Sequence, residues 1–118
     1  MEIEVIDLDQ LVLDMEAAAT SVLQTDVSSL RGFSRRQMTA IAKQAGLIAT
    51  GITTGQITEE TQEYFLDNLE DMALSFAKTL RGLISVTIEK VWNAIVAVLW
   101  DAISRVTHIT LPAPMINT

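Results

Sequence analysis

The stretch EKVWNAIVAVLW, residues 89–100, limits what this chain can fold into more than any other. Nine of its twelve residues are apolar, and both tryptophans of the chain lie in it. At 100° per residue, Ile84, Ile88, Val91, Ile95, Val98, Leu99, Ala102 and Val106 fall on one face of a helix. Trp92, Val96, Trp100 and Ile103 widen that face to about half the circumference or more. Glu89, Lys90, Asn93, Asp101 and Ser104 form a polar seam opposite. A surface this broad has to be covered by lipid, by the rest of the chain or by another copy.

Lipid is disfavoured for a lone helix. Arg81 and Asp101 bracket a stretch close to the ~20 residues that span a bilayer. Glu89 and Lys90 fall near its middle, where each charge costs at least ~2.5 kcal/mol. Only a bundle that turns the seam inward around a pore avoids this, which keeps a holin-like or pore-forming oligomer as an alternative. The rest of the chain is short for the task. With 118 residues it makes one domain, 49% apolar and 19% charged, against about 25% charged in an ordinary soluble domain. Small domains have much surface for their volume. The expectation is therefore self-association, with Trp92, Val96, Trp100 and Ile103 as partner-interface anchors, since indoles give large contact area at low entropy cost.

Helix starts are written clearly. Asp7 with Gln10 makes a capping box, and Ile6 with Leu11 a hydrophobic staple. Ser34 with Gln37, and Phe33 with Met38, repeat that grammar. Thr58 before Glu59 and Glu60 is a third cap, with two acids favourable to the helix dipole. Gly32 suits the end of the first helix, and Gly51 with Gly55 the end of the second. Apolar residues recur at three and four in each segment: Leu11, Met15, Ala19 and Val22; then Met38, Ile41, Ala45 and Ile48; then Phe65, Leu69, Met72 and Phe76. The predicted fold is all-α: helices over 8–31 and 35–51 packed on a long helix or helix pair over 59–107, flanked by extended arms at 1–6 and 109–118. Periodicity runs through Gly82 and no cap follows it, which favours one helix of about 70 Å, bent at that glycine if anywhere. Thr110–Thr118 cannot be helical through Pro112 and Pro114. An extended segment there offers Leu111, Met115 and Ile116 as strap residues for a neighbour.

Charge comes in blocks beneath a net −7. Residues 1–26 hold seven acids and no base; 27–58 hold Arg31, Arg35, Arg36 and Lys43 and no acid; 59–71 hold six acids. Arg35 and Arg36 in the first turn of a helix oppose its dipole. Ion pairing between blocks, within or between subunits, accounts for all four bases. The acidic total argues against a nucleic-acid binder that works by neutralising phosphates, so no nucleic-acid partner is expected.

Chemistry-bearing patterns are missing. With no cysteine there is neither a thiol nucleophile nor a thiolate metal site. No P-loop, G-x-S-x-G or H-E-x-x-H occurs, and Gly51–Gly55 lacks the lysine of a phosphate loop. The acids of 59–71 lack EF-hand spacing, and no Glu-x-x-His supports a di-iron bundle. His108 stands alone near a helix end. No catalytic residue, metal or cofactor is expected.

In general style the chain is small, acidic, cysteine-free and helical, with apolar excess and an extended tail. It resembles the small virion components of tailed bacteriophages, which implies a structural subunit and no particular residues. The acidic start lacks the basic region of a signal peptide, so a cytoplasmic origin is expected, with incorporation into a virion. The reading is a non-enzymatic assembly subunit whose partners are its own copies and other structural proteins. The membrane-active oligomer is the first alternative, and a small helical adaptor for another protein is the second.

Overall fold

The computed structural model describes residues 5–23, 35–81 and 88–115. They form an all-α bundle: α1 (Leu8–Leu23), α2 (Arg35–Thr53), α3 (Glu59–Arg81) and α4 (Ile88–Thr107). The Gly32 stop, the Ser34 cap, the Phe33 staple, the continuation of helix one to residue 31 and a bend at Gly82 all lie outside the described residues, as do residues 1–4 of the arm.

The stretch 59–107 is a helix pair, not one long helix. α3 and α4 pack against each other. In a continuous helix even Arg81 and Ile88 would be about 10 Å apart along the axis, leaving no side-by-side contact. The longest dimension of the molecule, 44 Å, also falls well short of about 70 Å. Unbroken periodicity favoured continuity because it records which residues are apolar, and a reversal between two amphipathic helices preserves that pattern.

α4 is the centre of the bundle. It packs on α1, α2 and α3, while α2 also touches both α1 and α3. This explains the breadth of its apolar face. Val91, Trp92, Ile95, Val96, Leu99, Trp100, Ala102 and Ile103 are all buried. Among the side chains described from Glu89 onward, the exposed ones are Lys90, Ala97, Asp101 and Arg105, the last two joined at 3.2 Å across one turn. Each outer helix contributes the expected single stripe: Leu11, Met15 and Ala19 from α1; Met38, Ile41, Ala42, Ala45 and Ile48 from α2; Leu69, Ala73, Phe76 and Ala77 from α3.

The caps set where these helices begin. The Gln10 amide donates to the Asp7 carboxylate at 3.2 Å, so Asp7 caps α1. The Gln10 side chain turns forward to Asp14 (2.9 Å) and leaves the return half of the box unmade. Ahead of α3, the Thr58 N–H donates to Thr61 Oγ1 at 3.0 Å, so Thr61 supplies the reciprocal bond that Glu or Gln supplies elsewhere. The turn between α2 and α3 differs from expectation at one glycine. Gly51 lies inside α2 and accepts from the Ile57 N–H at 2.9 Å. Any Cβ there would come within 2.5 Å of Ile57 Cδ1. Gly55 makes the turn itself, at φ 81°, a left-handed conformation that glycine takes without strain.

The segment after α4 folds back on its own helix. His108 adopts φ 58° and reverses the chain. The Leu111 N–H donates to Ser104 Oγ at 3.1 Å, and the Trp92 indole N–H donates to the Pro114 carbonyl at 2.7 Å. From Thr107 back to Trp92 is about 22 Å along the helix, and the seven residues from His108 to Pro114 reach about 23 Å when extended. The two prolines hold that extended form and leave no N–H unpaired.

Candidate interaction surface

The structure places the expected anchors inside the molecule. Val96 and Ile103 are fully buried, Trp100 is 3% exposed and Trp92 7%. Their cover is the chain's own helices, with Pro114 closing over Trp92. The surplus that made these four residues interface candidates is absent, because α4 is packed by three helices of its own chain. Leu111 is half-buried and packs on the core of its own chain. Met115 is 53% exposed, and Ile116 lies outside the described residues.

The bases divide. Arg35 Nη2 stands 2.7 Å from Glu16 Oε1 and donates to Oε2 at 2.9 Å, which fastens the start of α2 to α1. That pair gives a reason for positive charge in a first turn where the dipole disfavours it. Arg36 and Lys43 are exposed, and among the described residues neither has a carboxylate partner. Arg31 lies outside the described residues. His108 is exposed, and its part in the structure is the chain reversal.

Val5, Leu13, Leu47, Tyr64, Ile109 and Met115 are large apolar side chains left exposed, and two of them, Leu47 and Tyr64, lie on the outer sides of α2 and α3. Arg36, Ala40, Lys43 and Leu47 are all exposed and follow one another at spacings of four, three and four. They form a single stripe opposite the buried Met38, Ile41, Ala45 and Ile48. On α3 the exposed residues Glu60, Tyr64, Asp67 and Asp71 repeat the same spacing, opposite Leu69, Ala73 and Phe76. One stripe is cationic; its neighbour is acidic from Glu60 to Asp71, with the exposed Lys78 two turns beyond on the same line. Each carries a bare large apolar side chain: Leu47 at 68% exposure and Tyr64 at 69%, the latter edge-on to Phe65 at 5.4 Å. A shallow groove between the two helices is lined by Gln37, Ala40 and Ile41 on one side and by Asp71, Met72 and Ser75 on the other.

The acidic stripe is crowded. Partial burial raises the titration of the Glu70 carboxyl above its ordinary value, and the Asp67 charge, a hydrogen bond with Asp67, and the charges of Asp71 and Glu63 add to it. The uncovered stripe thus carries negative charge that a cation from outside would relieve.

Leu47 and Tyr64 escaped the sequence reading, although a signal was present. Each is a large apolar residue on the polar side of its helix, off the recurring face. A reading built on the widest apolar stripe passes over such isolated outward residues. No protein-family model, curated protein or solved structure matches this chain.

Proposed function

We propose that this chain is a non-enzymatic structural subunit that works by binding further copies of itself and other structural proteins. A virion of the tailed-bacteriophage kind is the setting its general style resembles. The surface that supports the reading is different from the one α4 suggested. It is the pair of neighbouring outer stripes, Arg36–Leu47 and Glu60–Asp71, which are opposite in charge and each carry a bare apolar side chain. A protein surface with this make-up can bind a copy of itself, whereas a like-charged surface repels its copies.

No observation favours the membrane-active alternative. That alternative needs an uncovered α4, whose apolar face is enclosed, and among the described residues no helix is long and apolar enough to cross a membrane. Sedimentation velocity without detergent, over a concentration series, tests the proposal. The expected result is a defined multimer whose fraction grows with concentration. A chain that stays monomeric up to about 1 mM, which corresponds to less than about 4 kcal/mol of association, overturns it.

A further inference from the structure

We infer that the α2–α3 face pairs with the same face of a second copy about a two-fold axis running along the groove between the helices. The inference rests on the self-association proposed above and specifies its surface, its symmetry and its register.

The first step is direction. α2 and α3 are antiparallel, because the groove between them brings residues 37–41 of α2 beside residues 71–75 of α3, and the turn at Gly55 joins their other ends. Levels along the hairpin follow from this. Leu47 stands within about one residue of the level of Tyr64, Lys43 within about two of Asp67, and Ala40 beside Asp71, at 1.5 Å per residue.

The second step is symmetry. A rotation of 180° about an axis along the groove keeps every level and exchanges the two sides. It therefore lays α2 of one copy over α3 of the other, again antiparallel. Leu47 then meets Tyr64 of the partner subunit, Lys43 meets the partner subunit's Asp67, and Ala40 leaves room at the level of the partner subunit's Asp71, about a turn from Arg36. Each pairing occurs twice, as an isologous interface requires. The half-buried Met72 and the exposed Leu47 and Tyr64 supply an apolar centre, and the charges form the rim, the usual anatomy of a protein interface.

Charge decides against the other simple axis. A two-fold perpendicular to the helices would lay α2 on α2 and α3 on α3. With that axis level with Lys43 and Leu69, Lys43 would face the partner subunit's Lys43, and the acids around Glu70, already crowded by one another, would face a second such set. Like-charge juxtaposition of this kind is strongly unfavourable.

The test uses the full chain. Lys43→Glu and Asp67→Lys, each exposed and remote from the core, are made singly and together, and circular dichroism confirms that the helical fold persists. Each single variant is expected to weaken the dimer by about tenfold or more. The double variant restores it, since both pairs are then exchanged. Because the chain has no cysteine, Leu47→Cys and Tyr64→Cys chains can also be mixed and oxidised. A disulfide-linked dimer is expected from the mixture, in excess over either chain alone. If the protein self-associates but the single variants do not weaken it, or the double variant does not recover, this interface is wrong while the proposed function stands. Crosslinking of Leu47→Cys chains to one another as efficiently as to Tyr64→Cys chains overturns the axis. A monomer at every concentration overturns both the interface and the proposed function.

Discussion

α4 and the outer side of α2 invite opposite expectations, and the structure reverses both. α4 is the more apolar of the two by far, yet its large side chains are enclosed. The outer side of α2 is a short, mostly polar stripe, yet it leaves Leu47 and two cations in the open. A helix at the centre of a bundle touches three neighbours and needs apolar residues over most of its circumference. A peripheral helix needs only a stripe. Width of an apolar face therefore counts neighbours and says nothing about whether they belong to the same chain. A single exposed apolar residue is ordinary on a surface, so Leu47 bears on contact with another molecule only together with the charges beside it.

The largest effect should come from treating α4 as if it were surface. Trp100→Asp places a charge and a void in the core, and it should lower the unfolding free energy in urea by about 4 kcal/mol or more, a large part of the 5–15 kcal/mol typical of a domain. If the variant instead remained fully stable and lost only self-association, α4 would be an interface after all and the contrast drawn here would collapse. A middle effect sharpens the contrast at the margin of α4. Trp92→Phe keeps the ring and removes the indole donor to Pro114, which should reduce stability by about 1 kcal/mol. It should also speed hydrogen exchange at the Leu111 amide, which is bonded to Ser104. Unchanged exchange there would mean that the strap is held by its apolar contacts alone.

The smallest effect lies on the outer face. The Glu70 carboxyl is raised by partial burial and by its acidic neighbours, so folding favours its protonated form. Its contribution to stability is greatest below its unfolded value and is lost as pH rises through the raised folded value. Glu70→Gln should therefore gain a few tenths of a kcal/mol at neutral pH and nothing in mild acid, as read from urea unfolding at both. Equal gains at both would assign the benefit to helix propensity instead of to charge.

Local grammar was legible in the sequence. The helices over 8–23, 35–53 and 59–81 start where Asp7 and Thr58 cap them, or within the first turn expected for them, and each buries the stripe its spacing marks. The arrangement was less legible, and the main departures share a cause. Reading 59–107 as one helix left α4 without α3 as a neighbour. That missing neighbour then reappeared as a supposed second subunit on Trp92, Val96, Trp100 and Ile103. Periodicity is a one-dimensional signal, and it cannot register that a chain has doubled back. The return of Leu111–Pro114 was hidden for a related reason. It depends on His108 adopting a left-handed conformation, which histidine takes more readily than most residues but does not require, and on Trp92 lying at the distance that seven extended residues can reach.

The closure of Pro114 over Trp92 has an optical consequence. Of the two chromophores, one sits under a short peptide that can lift away on its own, and the other lies among side chains that separate only when the helices do. Emission from the first is therefore expected to respond to loss of the Pro114 contact as well as to unfolding, and emission from the second to unfolding alone. The native chain carries, without any label, separate gauges of its two levels of stability.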